Sequence, residues 1–265
     1  MSIAVEIAVQ DLAGLEVAAH AGADRVELCT DLDRGGVTAP VELVEQAVAR
    51  ARELVAARDA RAHFDVHVLI RSHAGADDFL GRPEEFTYSA EQIDLMAQQA
   101  RDSVQAGAAG VVLGVLDARA RVDVGALRIL RDAALEAAQQ EMRGLSLTFH
   151  RAVDTLPDRA ARCAAVEVLV AEGFHRVLSS GGAHCAVDGA DDLAAMVRAA
   201  DGLLDVCAGG GVRPADIAAL VHSTGVGDVH LSARRRPGAD PAPGVAPGST
   251  DPAIATAAVD AAGAL

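Results

Sequence analysis

Eight short apolar runs, most of them rich in β-branched residues, alternate with stretches of helical period, and this alternation constrains the fold more than any single residue does. The runs are Ile3–Ala8, Arg25–Leu28, Asp65–Ile70, Gly110–Leu113, Leu145–Phe149, Arg176–Ser179, Leu204–Ala208 and Asp228–Leu231. Between them the apolar spacing lengthens to that of a helix over Leu12–Ala21, Val41–Ala57, Ala90–Ala106, Val124–Gln140, Asp158–Ala171, Ala190–Ala199 and Pro214–Ser223. Strict β–α alternation implies parallel strands with right-handed crossovers, since a parallel neighbour can be reached only by a long connection across the sheet. A chain of 265 residues with eight such units fits a single α/β domain, the closed (β/α)8 TIM barrel of about 250 residues. A doubly wound open sheet ranks second, because no G-x-G-x-x-G follows the first run. The barrel takes residues 1–233, a Pro/Gly/Ala-rich linker 234–252, and a C-terminal helix packing on the barrel 253–265.

Composition removes whole classes of chemistry. All 23 basic residues are Arg and Lys is absent, which excludes Schiff-base lysines, pyridoxal-phosphate catalysis and a P-loop. With 38 acidic residues the formal charge is -15, and aromatics make up only 2% of the chain. Such a surface repels nucleic-acid backbones and anionic lipid and offers no stacking platform, so neither nucleic acid nor membrane is an expected partner. The four cysteines, Cys29, Cys163, Cys185 and Cys207, form no C-x-x-C pair, and the N-terminus lacks the basic region of a signal peptide. The expected location is the reducing cytoplasm.

In a barrel of this kind, functional side chains project from the carboxyl ends of the strands. Glu6 lies in the first run, Glu27 and Cys29 end the second, and Arg71 follows the third. The fifth runs into Thr148, His150, Arg151 and Asp154, the sixth into Ser179 and Ser180, and the eighth carries His230 and Ser232. Glu6, Glu27, Arg71, His150, Arg151 and Asp154 are the candidate catalytic residues, with the first five expected within mutual reach. A structural reading stands beside this one, in which Glu6 or Glu27 pairs with Arg71 or Arg151 simply to fill the barrel. His150, flanked by Arg151, reads as an exposed histidine of the polar mouth. His20, His63, His73, His175, His184 and His222 read as solvent-facing. Ser72–Glu85 is a long polar loop on the same face, placed as a lid would be.

Glycine clusters add a candidate anion site. Gly209-Gly210-Gly211 precedes Val212-Arg213-Pro214 and opens a helix, directing backbone N–H groups at one spot suited to phosphate or carboxylate. Ser179, Ser180 and Gly181 would form another wall, with Ser232 nearby. The competing reading of the triple glycine is a tight turn and nothing more. Spacing alone makes no metal site of the cysteines, because buried free cysteine is a common core residue.

Several of these stretches resemble the copper homeostasis protein CutC family. They are Gly22-Ala23-Asp24-Arg25-Val26-Glu27-Leu28-Cys29, Gly35-Gly36-Val37-Thr38, Ile70-Arg71, Phe86-Thr87-Tyr88-Ser89, Gly110–Leu116, Thr148-Phe149-His150-Arg151-Ala152, Val177–Gly182 and His230-Leu231-Ser232. The resemblance implies a cytoplasmic TIM barrel, homo-oligomeric with a dimer favoured, tied to copper homeostasis and Cu(I) binding. It makes Cys29 the copper ligand. Because a tightly held Cu(I) takes two or three ligands, the monomer is expected to bind weakly through Cys29, with any tighter site built from Cys29 plus Cys207 or a residue from another subunit. Where the family reads I-R-P-R-G-G-D-F, this chain has Ile70-Arg71-Ser72-His73 and an insertion before Phe86. The first functional expectation is therefore a Cu(I)-binding homeostasis protein. The alternative is an enzyme on a small anionic metabolite, with Glu27 or His150 as acid/base and Arg71, Arg151 and Gly209–Gly211 holding the anion. A non-catalytic interaction protein with an irregular mouth is third.

Overall fold

The structure, a computed structural model, describes residues 3–75, 81–235, 246 and 248–265. Eight parallel strands close into a barrel in sequential order. They are β1 (Ala4–Val9), β2 (Arg25–Leu28), β3 (Asp65–Leu69), β4 (Gly110–Leu113), β5 (Ser146–Phe149), β6 (Arg176–Ser179), β7 (Asp205–Ala208) and β8 (Asp228–Leu231). The ring closes where β8 pairs with β1, with Glu6 beside His230 in the register. Helices α1 (Leu12–Ala21), α2 (Val41–Ala57), α3 (Ala90–Gln105), α4 (Val124–Gln140), α5 (Arg159–Ala171), α6 (Ala190–Ala200), α7 (Ile217–Thr224) and α8 (Pro252–Gly263) surround it.

Side chains alternate along each strand, so the two faces of the barrel wall have different chemistry. In β1, Val5, Ile7 and Val9 are buried in the main apolar core between strands and helices, whereas Ala8 lines the interior cavity. Local signals fix where helices start and stop. Asp11 caps α1 by accepting from Gly14 N at 2.7 Å, and Ser89 with Gln92 forms a capping box on α3. Gly22 ends α1 at φ +83°, a left-handed conformation open to glycine at no steric cost. The helix expected from Pro214 begins instead as a 3-10 turn over Pro214–Asp216 before α7 proper. Asp216 draws the chain into that turn by accepting from Arg213 N.

α8 packs on α1, α7 and β1. Most of the expected linker, 236–245 and 247, lies outside the described residues, as does 76–80 of the expected lid. Among the described residues no helix is long and apolar enough to cross a membrane.

Candidate functional site

Four charges meet inside the barrel. Arg25 of β2 donates from Nε to Glu6 of β1 at 2.5 Å and from Nη2 to Asp228 of β8 at 2.6 Å. Arg176 of β6 also donates to Asp228. Two cations face two anions, which is the condition under which buried charge is tolerated. Burial alone would raise the Glu6 carboxyl, but Arg25 and His230 overcome it and hold Glu6 well below the usual carboxylate range. Pairing of Glu6 or Glu27 with Arg71 or Arg151 is not what forms. Arg25 is the register neighbour of Glu6, while Arg71 and Arg151 follow the ends of β3 and β5 and find Glu85 and Asp154.

At the carboxyl ends of the strands opens a cavity of about 590 Å³. It brings together Glu27, Arg71, His150 and Arg151, with His230 and Ser232 from the eighth unit. Glu6 does not line it but lies beneath, where its Oε1 meets His230 Nδ1 at 2.7 Å. His230 Nδ1 is also 4.0 Å from Glu27 Oε2. Burial pushes His230 down, yet the hydrogen bond to Glu6 and the nearby carboxylates leave its proton affinity raised. Glu27 is 6% exposed, and burial, opposed by His230 and reinforced by Glu6, lifts its carboxyl to about 7.

His150 is buried, not exposed, at 6% relative accessibility. Phe86 and Phe149 pack around it, with ring centroids 5.2 and 6.0 Å away. Its Nδ1 accepts from Ala152 N at 3.1 Å, capping the turn Arg151–Thr155. Burial and the charge of Arg71 hold its pKa near 3, so the ring is neutral. His67, which the sequence reading did not single out, is a second buried neutral imidazole, held at about 3 by burial. Its place on the interior face of β3, opposite Glu27 in the register, was the available signal. Of the histidines read as solvent-facing, His73 is partly buried against Tyr88, while His63 reaches Asp24 and His175 accepts from Leu147 N.

Asp154 does not reach the cavity. It organises the wall behind it, with Oδ1 accepting from Ser179 Oγ at 2.6 Å, Ser180 N at 3.0 Å and Gly182 N at 3.1 Å. Its Oδ2 accepts from Arg151 Nε at 2.8 Å, and Arg151 Nη2 extends to Ser180 Oγ. Ser179 and Ser180 are fully buried in this network. Neither they nor Gly181 and Gly209 line the cavity, whereas Gly210, Gly211 and Ser232 do. Gly209 N already donates to Ser179 O. A Cβ on Gly210 would lie 2.9 Å from Arg151 Cζ, so glycine there lets the guanidinium settle against the turn.

Cys29 is fully buried against Leu69 and Val112, away from the cavity lining, and burial raises its thiol pKa strongly. Cys207 is buried near Glu6 and Asp228, with its thiol raised for the same reason. Among the described residues the one group of three donors close enough to share a cation is Glu6, Glu27 and His230, with atoms within 4.8 Å of one another. Both Glu6 oxygens are already engaged by Arg25 and His230.

The elevated proton affinity of Glu27 has a consequence for stability. From its ordinary 4.5 to about 7 the folded state binds the proton more tightly than the unfolded chain. The cost of ionising Glu27 therefore sets in as pH rises above 4.5 and is complete above 7. Glu27→Gln removes a cost on the order of 3 kcal/mol, which for a chain of this size is about 5–10 °C in Tm. The variant should melt higher than the parent at pH 8 and level with it at pH 4.5. Calorimetry at the two pH values checks this, and a lower Tm at pH 8 would refute it.

Comparison with known proteins agrees with this architecture. The CutC family profile matches residues 3–235. A CutC family protein of Caulobacter vibrioides is 38% identical over 241 residues, covering 90% of this chain and 85% of its own length. Another from Agrobacterium fabrum is 34% identical over 237 residues, covering 89% and 82%. A Streptococcus agalactiae crystal structure, described as a CutC copper homeostasis protein, superposes with TM-score 0.73 at 26% identity, covering 87% of this chain and 98% of that one. With the match running from the first strand past the last, the chain belongs to the CutC family.

Proposed function

We propose that the barrel mouth is the active site of an enzyme acting on a small metabolite that carries a phosphate or carboxylate. One observation carries this reading. Glu27 Oε2, Arg71 Nε and His150 Nε2 are buried without a hydrogen-bond partner, and all three residues line the same cavity. Leaving such groups unpaired costs about 1–3 kcal/mol each, a cost that a bound polar ligand offsets. The charge of the lining supports an anion. In a chain of net charge -15, Arg34, Arg71, Arg151, Arg213, Arg234 and Arg235 line the cavity against Glu27, Asp33 and Glu85. Arg151 and the Gly210–Gly211 turn lie together and would hold the anionic group. Titration with inorganic phosphate, followed by amide NMR, should move Gly210 and Gly211 first. Arg151→Met should weaken the effect about tenfold. No shift at tens of millimolar phosphate would overturn the reading.

Copper is the second reading, favoured by the family and by the description of the S. agalactiae relative. The donors the structure brings together do not fit Cu(I). Two carboxylates and an imidazole suit harder or borderline divalent ions, whereas Cu(I) favours thiolate and thioether. Cys29 has apolar neighbours, and its raised pKa disfavours the thiolate form that ligates metal. Competition against a Cu(I) chelator under reducing conditions should therefore give equal retention by the parent and by Cys29→Ser. Loss of retention in the variant alone would restore Cys29 as a ligand.

A further inference from the structure

Four observations bear on what reaction such a site could run. Glu27 lines the cavity from the end of β2, with Oε2 buried and unpartnered. His150 lines it from the end of β5, three strands further round. The chemical state of His150 follows from a backbone contact. Ala152 N–H can only donate, and it donates to Nδ1 at 3.1 Å, so the single proton of the neutral ring is on Nε2. That Nε2–H has no acceptor in the protein, and the packing of Phe86 and Phe149 holds the ring in place. The site thus brings to one cavity a carboxyl oxygen and a neutral N–H donor, each without a hydrogen-bond partner in the protein. The chain has no lysine, so a carbanion cannot be stabilised as an enamine here.

We infer that the reaction is proton transfer at a carbon adjacent to a carbonyl, with Glu27 as the base and the neutral His150 Nε2–H as the donor to the carbonyl oxygen. This rests on the reading of the mouth as an active site for small anions, and it narrows the substrate to a carbonyl compound with an α C–H that bears phosphate or carboxylate. Glu27 takes the proton from the α-carbon, and the C–H pair becomes the C=C bond of an enolate as the carbonyl pair moves onto oxygen. His150 donates a hydrogen bond to that oxygen without giving up its proton. Glu27 then returns its proton to the same carbon, and the carbonyl re-forms. Where the substrate carries an α-hydroxyl, that hydroxyl's proton can first pass to the enolate oxygen, after which Glu27 protonates the former carbonyl carbon and the new carbonyl forms at the α-carbon. No oxidant or reductant enters. A donor held as neutral imidazole is the better match to an enolate oxygen, because its own low acidity leaves the proton on nitrogen. Arg71, whose charge bears on His150, adds positive potential to the same site. Glu27, near 7, can both accept and return a proton at neutral pH.

The test is deuterium exchange from D2O into dihydroxyacetone phosphate, ribulose 5-phosphate and hydroxypyruvate, read by proton NMR, with binding of each probe read on the Gly210 and Gly211 amides. At least one probe should bind and exchange at its α-carbon, at a rate that rises with pH through about 7 as Glu27 ionises. Glu27→Gln should lower that rate about 10³-fold and leave probe affinity within a few-fold, while Glu27→Asp restores part of it. His150→Gln should cost about 10²-fold. A probe that binds but exchanges equally in the parent and in Glu27→Gln overturns the proton-transfer inference and leaves the anion site standing. If none of the probes moves the Gly210 and Gly211 amides, the active-site reading itself falls.

Discussion

Replacing Arg25 by Met should lower the midpoint of thermal unfolding by about 10 °C, from a loss of about 3–5 kcal/mol. Arg25 is the cation shared by Glu6 and Asp228, at 2.5 and 2.6 Å, with side-chain accessibilities of 8% or less for all three. Met keeps much of the stem's packing and removes the charge, so the two carboxylates would lose their common partner in a low-dielectric interior. His230 remains for Glu6 and Arg176 for Asp228, which is why the loss stops short of complete unfolding. The effect depends on pH in a defined direction. Glu6 has a depressed folded-state pKa, so its stabilisation is present above its ordinary value of 4.5 and fades as pH falls through the folded pKa. The difference between parent and variant should therefore be larger at pH 8 than at pH 4. Adding Glu6→Met to Arg25→Met removes one charge of each sign, and the double variant should be more stable than the single one. A Tm change below 2 °C in Arg25→Met would show that the pair contributes little.

The second large effect is expected at Asp154. Asp154→Ala strips the acceptor from Ser179 Oγ, from the amides of Ser180 and Gly182 and from Arg151 Nε. Several donors in a buried wall are orphaned at once, for a loss of about 3–5 kcal/mol. Asp154→Asn should recover little, because its amide group presents donors to donors. Arg151, no longer oriented by Asp154, should hold phosphate about tenfold more weakly. Amide exchange at Ser180–Gly182 and phosphate titration separate the two consequences. Unchanged exchange protection together with wild-type phosphate affinity would refute the assignment of Asp154 as a positioning residue.

The strand and helix ranges were legible because they rest on local spacing. An apolar period of two or of 3.6 is printed in the chain wherever an element forms, and the observed bounds depart from the expected ones by a residue or so at most ends. Asp228, by contrast, sat at the start of an expected strand with nothing in its neighbourhood to show that it would bind Arg25, 203 residues away. His150 was read as exposed because Arg151 follows it, yet Phe86 from another loop covers it. Cys29 stood out in the E-L-C stretch, and only packing put it against Leu69 and Val112.

By itself the sequence determined the order of elements, the closed parallel barrel they build and the chemistry that a chain without lysine cannot perform. Those conclusions need only periodicity and composition, which are properties of neighbouring residues or of the whole chain. The tertiary structure alone decided which charges cancel, which carboxyl oxygen is left without a hydrogen bond and which ring nitrogen holds the proton. Glu27 and Glu6 are both carboxylates in short strands, but Glu6 receives Arg25 and is driven to low pKa, while for Glu27 burial outweighs the more distant His230 and Arg25 and its carboxyl rises to about 7. The reason is that ionisation depends on the field and the solvent access at one point. Those are set by side chains arriving from every strand of a closed barrel, including His230, which is 224 residues from Glu6 in the chain.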